Sequence, residues 1–192
     1  MSMIDRGKLE GLRTRLIRTA QGRVLEVGAG EGANFGSFRP GIDWVGLEPD
    51  ARRREVLGDK ARRAGYEHAP LDARAERIPL PDHDVDVILA TFVLCSVDDQ
   101  AAAAREFRRV LRPDGRLLLV EHVAAPRGTG RRVLQRVVTP LSRRLDHGCR
   151  WISDPLPALE AAGFVAEKLD RYEVANGIGP RTPMIVYDGR VV

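Results

Sequence analysis

The chain has 192 residues, of which 43% are hydrophobic and 30% charged, and its formal net charge at pH 7 is +4. This size fits one globular domain, and no stretch approaches the roughly 20 consecutive apolar residues of a membrane-spanning helix. Basic and acidic residues are interspersed and only 5% of the chain is aromatic, so we expect no nucleic-acid partner. The first residues lack the apolar core of a secretory signal and the two cysteines are far apart, so we expect a cytoplasmic protein without disulfides.

Apolar, β-branched runs alternate with helical segments along the chain. In order, the sequence predicts a helix over 5–20, a strand over 23–28, the start of a helix over 32–38, a strand over 43–48, a helix over 50–64, strands over 66–71 and 84–90, a helix over 98–111, a strand over 116–122, a basic helix over 131–145, a helix from 154, and strands over 164–172 and 182–187. No helix separates the last two strands, so they should pair antiparallel. This order predicts an α/β, Rossmann-like, doubly wound sheet of seven strands with an antiparallel last strand.

We expect a single domain over 1–192. An amphipathic helix is predicted within 1–22, and the irregular stretch over 123–152 is predicted to be a lid or a substrate-binding insert. The basic helix inside that insert carries apolar side chains on one face, a pattern that also fits peripheral contact with a membrane surface.

A glycine-rich turn follows the first predicted strand. Gly28, Gly30 and Gly32 stand at alternate positions, which lets the backbone turn and approach a ligand closely. Glu48 ends the next strand 20 residues after Gly28, where a carboxylate accepts hydrogen bonds from the ribose hydroxyls of an adenosine. The loop also satisfies the dinucleotide pattern, so by itself it does not distinguish a nicotinamide cofactor from S-adenosylmethionine.

Two further features favour S-adenosylmethionine. Glu26 places a carboxylate at the end of the strand, where it would repel a pyrophosphate and suits the amino-acid part of a sulfonium cofactor. None of the three tyrosines is followed four residues later by a lysine, as a short-chain dehydrogenase requires. The sequence therefore favours methyl-transfer chemistry over hydride transfer.

Several segments carry a family resemblance. Segment 24–32 resembles the first motif of class I S-adenosylmethionine-dependent methyltransferases, and segments 75–86 and 109–115 are similar to later motifs of the quinone and phospholipid methyltransferase branch. Three others look like the thiol methyltransferases of the animal methyltransferase-like group: 91–97, 121–125 and 145–149. The resemblance implies S-adenosylmethionine as the cofactor and a reversed seventh strand. The cofactor contacts that we expect on this basis are Glu26, Gly28, Gly30, Gly32, Asn34, Glu48, Pro49, Ala75, Glu76 and Thr91.

Candidate catalytic groups follow the fifth predicted strand. His122 and Asp146 are predicted to orient or deprotonate a substrate, and a simple packing role for His122 stays open. Cys95 is predicted to be a small buried hydrophobe rather than a nucleophile. Asp146, His147 and Cys149, together with Cys95, lack the regular spacing of metal ligands, so no metal is expected.

These observations predict an enzyme that methylates a small molecule. An acceptor with a low pKa needs no strong base, and the resemblance near Cys95, His122 and Asp146 points to a thiol. Methylation of carbon or oxygen on a quinone-like or polyketide-like substrate is the alternative. A protein that binds the cofactor as a sensor, without catalysis, is the alternative from another class.

Overall fold

The computed structural model describes residues 2–126, 128–145, 149–175 and 181–192. The strands are β1 (Ser2–Ile4), β2 (Arg23–Val27), β3 (Asp43–Leu47), β4 (Val85–Thr91), β5 (Leu111–His122), β6 (Phe164–Val174) and β7 (Thr182–Val191). The helices are α1 (Arg6–Ile17), α2 (Ala51–Arg63), α3 (Gln100–Val110), α4 (Gly130–Leu145) and α5 (Leu156–Ala161), with a short 3-10 helix at Phe35–Ser37.

The strands form one sheet in the order β1-β6-β7-β5-β4-β2-β3. Strands β2, β3, β4 and β5 are parallel, whereas β7 runs antiparallel to both β5 and β6. Successive side chains point to opposite faces, so Leu25 packs in a cluster with α3 and α5 while Val24 packs in a cluster with α1. The sheet is therefore covered on both faces, which confirms the predicted doubly wound α/β fold with its antiparallel last strand.

Two predicted elements are wrong. Residues 66–71 form no strand and contribute only an isolated bridge between Leu47 and Leu71, because Pro70 lacks the N–H that a strand would use. The seventh strand is instead β1, whose Ser2 pairs with Tyr172 of β6. The helix expected over 32–38 shortens to the 3-10 helix, since the side chain of Asn34 is committed to buried partners.

Aspartates begin three of the helices. The side chains of Asp5, Asp50 and Asp99 accept hydrogen bonds from backbone N–H groups in the first turns of α1, α2 and α3. Each satisfies a donor that a helix start leaves unpaired. Asp50 thus begins the helix that the sequence predicted over 50–64. The caps matter for function because α2 and α3 begin directly beside the ligand-binding edge of the sheet.

Three side chains of the predicted apolar face of α4 are exposed. Val133, Leu134 and Val137 are exposed, whereas the polar Gln135 and Thr139 are buried. Gln135 accepts a hydrogen bond from the backbone N–H of Ala125 at 2.8 Å, which anchors α4 to the chain that follows β5. In the part of the chain that the structure describes, no helix combines the length and the apolar character needed to cross a membrane.

Candidate active site

The glycine loop lies at the carboxyl end of β2. Gly28 has a φ of +60°, and a Cβ built on it would lie 2.6 Å from a methyl group of Val93, so both the conformation and the space require glycine. Gly30 has a φ of +57°, and its N–H donates to the Glu48 carboxylate at 3.0 Å. Val93 therefore packs directly against the backbone of the loop, which follows the strand that the sequence predicted.

Glu48 follows β3 and is only 5% exposed. One carboxylate oxygen accepts the N–H of Gly30 and the other accepts the N–H of Asp50, each at 3.0 Å. A carboxylate oxygen has two lone pairs, so each oxygen retains the capacity to accept a hydroxyl. The two backbone bonds fix the carboxylate at the edge of the adjoining cavity, and this orientation fits a ribose diol.

Arg54 of α2 holds the chain around Glu48. Its guanidinium donates to the backbone oxygens of Glu48 and Pro49 at 2.8 and 3.0 Å, and to the carboxylate of Asp72 at 2.9 Å. A planar guanidinium can span three acceptors in this way because its five N–H donors have a fixed geometry. The sequence analysis missed this residue, since nothing in its spacing distinguishes it from the other arginines of the helix.

A buried polar network lies beneath the glycine loop. The Glu26 carboxylate accepts hydrogen bonds from Asn34 Nδ2 at 2.7 Å and Trp44 Nε1 at 2.8 Å. Asn34 also donates to Thr91 Oγ1 and accepts from Arg13. Burial raises the pKa of Glu26 to about 7, while the bonds from Trp44 and Asn34 oppose that rise. Glu26 of β2, Trp44 of β3 and Thr91 of β4 are thus connected under the loop, Thr91 through Asn34.

A cavity of about 560 Å³, the first cavity, opens at the carboxyl ends of β2, β3 and β4. Five predicted cofactor contacts line it, namely Gly28, Glu48, Pro49, Ala75 and Glu76. The other five predicted contacts are not part of this wall: Glu26, Gly30, Gly32, Asn34 and Thr91. The structure shows that the first five residues line the cavity. Contact with a cofactor stays a prediction for all ten.

The wall opposite Glu48 is formed by the segment around Ala75. Glu76 accepts hydrogen bonds from the backbone N–H groups of Asp98 and Asp99, at 2.9 and 3.3 Å, which ties this segment to the start of α3. Arg74 lines the cavity and donates to the Asp98 carboxylate at 3.2 Å. Ala75, between Arg74 and Glu76, is buried and also lines the cavity.

A second cavity of about 400 Å³ adjoins the first. Its wall is largely apolar and comes from distant parts of the chain: Leu9 of α1, Trp151 of the insert, Val174 of β6 and Met184 of β7. Arg6 and Glu10 of α1 also reach it. The insert was predicted to line a substrate pocket and does contribute to this wall, whereas the part played by α1 had no signal in the sequence.

Phe92, His122 and Cys149 line both cavities and form their junction. Phe92 has a φ of +59°, a left-handed conformation that is costly for an aromatic residue and occurs where the surroundings impose it. The imposing group is Glu121, whose carboxylate accepts the N–H groups of Val93 and Leu94 at 2.7 and 2.9 Å. A fully buried side chain thus holds the loop at the junction in place.

Two cysteines and a histidine meet at this junction. His122 Nε2 lies 3.0 Å from Cys149 Sγ, and these two atoms and Cys95 Sγ all lie within 4.8 Å of one another. Cys95 is buried as predicted, and the hydrogen bond with Cys149, together with burial, raises the pKa of its thiol. Asp146 and His147, which were grouped with these residues in the sequence, lie outside the described residues.

The fold and the glycine loop at the end of β2 are those of class I methyltransferases. Residues 25–119 match the family model described as a methyltransferase domain. The YcgJ protein from Bacillus subtilis has the same fold, with a TM-score of 0.76 and 22% identity over 97% of this chain and 99% of that one. A geranyl diphosphate C-methyltransferase from Streptomyces coelicolor, solved with S-adenosyl-L-homocysteine, Mg²⁺ and geranyl diphosphate, shares it at a TM-score of 0.74, with 15% identity over 97% of this chain and 82% of that one.

Among curated proteins the chain is similar to the human thiol S-methyltransferase TMT1A. The two are 35% identical over 153 residues, which cover 78% of this chain and 63% of the relative. The chain therefore spans under two thirds of the length of that protein. The match to the methyltransferase-domain model implies S-adenosylmethionine as the cofactor, as the sequence predicted.

Proposed function

We propose that this protein transfers a methyl group from S-adenosylmethionine to the sulfur of a small apolar thiol. The observation that carries the proposal is the junction of two unlike cavities: the first has a carboxylate and a glycine loop on its wall, and the second is largely apolar. The similarity to a human thiol S-methyltransferase supports sulfur as the acceptor atom. The apolar wall supports an acceptor without charge.

The residues of the first cavity fit the cofactor. Glu48 retains acceptor capacity toward a diol. Gly28 has no side chain, so only its backbone lines the cavity, and Val93 occupies the place that a Cβ would take. When bound, the cofactor would supply an activated methyl group, whose carbon a nucleophile attacks in line while the S–CH3 bond breaks and S-adenosylhomocysteine leaves. The protein's part is to hold donor and acceptor at the junction of the two cavities and to keep water out.

The second cavity determines the acceptor. Leu9, Trp151 and Met184 offer an apolar surface that removes water from a thiol and from the thiolate it forms. A free thiol with a pKa near 8.5 is already a few per cent ionised at neutral pH, so its deprotonation asks little of the protein. His122 lines both cavities, and its part in deprotonation, like that of Asp146, stays a prediction.

The test combines an acceptor screen with a matched pair of variants. Purified protein is incubated with labelled S-adenosylmethionine and panels of small thiols, phenols and quinones, and products are identified by mass. We expect methylated thiols. Glu48→Gln should weaken binding of S-adenosylhomocysteine by about 10- to 100-fold, because bonds to a charged acceptor are worth about 1.5–3 kcal/mol. Glu55→Gln, on the exposed surface of α2, should leave it unchanged.

Other outcomes would replace the proposal. A methylated phenol or quinone with no methylated thiol would establish the oxygen or carbon alternative. Binding of S-adenosylhomocysteine without product from any acceptor would establish the sensor alternative. We further propose, as the sequence suggested, that residues 123–152 act as a substrate insert within a single domain, and that the protein acts in the cytoplasm on small molecules without a nucleic-acid partner.

A further inference from the structure

We propose that Cys95, His122 and Cys149 form a zinc site whose fourth coordination position opens toward the second cavity. The three side chains come from the loop after β4, the end of β5 and the chain after α4. Their ligand atoms lie within 4.8 Å of one another, and His122 Nε2 is 3.0 Å from Cys149 Sγ. The site itself is independent of the proposed function, whereas the role of its fourth position depends on it.

The distances suit a tetrahedral metal centre. Zinc binds cysteine sulfur at about 2.3 Å and histidine nitrogen at about 2.0–2.1 Å, so its ligand atoms are about 3.5–3.8 Å apart. The present separations, none above 4.8 Å, therefore need to shorten by at most about 1 Å. Two thiols and an imidazole are soft or borderline donors, which favour zinc over magnesium or calcium.

Hydrogen bonds hold two of the ligand-bearing segments beside each other. The N–H of Arg150 donates to the backbone oxygen of Cys95 at 3.0 Å, which fixes the segment of Cys149 beside the loop of Cys95. Glu121 fixes the same loop through the N–H groups of Val93 and Leu94. These contacts join three distant segments at the ligand cluster, so the fold presents the donors together before any ion binds.

Charge balance also favours this ion. Zn²⁺ would displace one proton from each cysteine thiol, the two protons passing to solvent, and two thiolates and a neutral imidazole then cancel its charge. A neutral centre is compatible with a site in which both cysteines are buried. Because His122 and Cys149 line both cavities, the open side of the centre lies at their junction.

A three-ligand zinc site leaves one position for substrate, and a thiol matches it. On binding there, an acceptor thiol would lose its proton to solvent and become a thiolate held at the junction. His122 would then be a metal ligand and not the base predicted from the sequence. The earlier expectation of no metal relied on ligand spacing along the chain, and the fold removes that argument by bringing residues 95, 122 and 149 together.

The first experiment measures metal binding without reference to activity. Reduced, metal-free protein is titrated with Zn²⁺ and, separately, with Co²⁺, whose sulfur-to-cobalt absorption reports thiolate ligands. We expect about one ion per chain and protection of both thiols from a thiol reagent. His122→Gln should weaken binding by more than the roughly 10- to 100-fold that loss of an outer-shell partner costs.

Two further variants guard against misfolding. His122→Cys restores a third ligand, now a sulfur, and should recover Co²⁺ binding with added sulfur-to-cobalt absorption. His68 is an exposed histidine paired with Asp43, and His68→Gln should behave as wild type. Far-UV circular dichroism and the urea denaturation midpoint report the folded state of every variant. If folded wild-type protein binds neither ion, or binds it equally well after His122→Gln, the zinc site is refuted.

The second experiment tests the fourth position. Co²⁺-loaded protein without S-adenosylmethionine is titrated with thiophenol and with phenol, which differ only in the acceptor atom. Thiophenol should increase the sulfur-to-cobalt absorption and phenol should not. If thiophenol leaves the sulfur-to-cobalt absorption unchanged, the assignment of the fourth position is wrong. Thiol methylation by metal-free protein would leave the proposed function intact and reject zinc's role in it, whereas a metal-loaded protein that binds thiophenol but methylates no thiol would reject the function and keep the site.

Discussion

The buried carboxyl of Glu26 should make the stability of the protein depend on pH. It is 2% exposed, and its neighbours are Trp44 and Asn34 rather than solvent. Burial raises its pKa from 4.5 to about 7. The folded chain therefore binds this proton more tightly than the unfolded chain does, and between these two pH values folding takes up a proton.

The size of the effect follows from that pKa difference. At about 1.36 kcal/mol per pKa unit, a rise from 4.5 to about 7 corresponds to about 3 kcal/mol of unfolding free energy. This contribution is fully present below pH 4.5 and is lost as the pH rises through about 7. Glu26→Gln removes the titration, and it also leaves one of the two donors, Trp44 or Asn34, facing an amide N–H, which costs about 1–3 kcal/mol.

The assay is urea denaturation of wild type, Glu26→Gln and the exposed control Glu55→Gln at several values between pH 5 and 8. The free-energy difference between wild type and Glu26→Gln should shrink by about 1.4 kcal/mol per pH unit up to about pH 7 and then level off. Glu55→Gln should follow wild type throughout. If the wild-type and Glu26→Gln curves run parallel, Glu26 titrates normally in the folded protein and the argument from burial fails.

Three other substitutions test the two cavities. Gly28→Ala should destabilise the fold by about 2–4 kcal/mol in urea denaturation, because the strain of a left-handed backbone adds to overlap with Val93. The control is Gly65→Ala, where φ is +83° and the space around the new Cβ is open, and it should cost about 1 kcal/mol. Arg54→Lys should raise the Kd of S-adenosylhomocysteine about 10-fold in calorimetry by releasing the chain around Glu48, and an unchanged Kd would contradict the clamp. Met184→Ala should lower KM for bulkier thiols relative to thiophenol by enlarging the second cavity, and an unchanged ratio would mean that acceptors bind elsewhere.

Local sequence determines the first cavity, and this is why it could be predicted. Gly28 and Glu48 each follow a strand with a strong β-branched or apolar pattern, so their place at one edge of the sheet follows from parallel topology alone. The roles of Glu26 and Asn34 were harder to predict. Their side chains face each other beneath the loop, and only the packing of Trp44 across β2 and β3 shows that both oxygens of Glu26 are occupied.

Tertiary contacts determine the elements that the sequence did not reveal. Strand β1 has only three residues and forms by pairing with β6. Three residues are too few for an alternating hydrophobic pattern to predict a strand. The exposed Val133 and Val137 of α4 show the converse case. An apolar stripe normally turns inward. Here Gln135 is buried instead, and it accepts a hydrogen bond from the backbone N–H of Ala125.

The two cavities differ in how far apart in the chain their wall residues lie. Because of this difference, substitutions can change acceptor binding separately from donor binding. The wall of the first cavity comes mainly from turns next to their own strands, where a substitution such as Gly28→Ala disturbs the fold itself. The second cavity is assembled from α1, the insert and the last two strands, whose side chains meet only there. Residues such as Leu9 and Trp151 can therefore change the shape of the acceptor space without touching the glycine loop. Among the residues that the structure describes, only Phe92, His122 and Cys149 line both cavities, so a substitution there should alter donor and acceptor binding together.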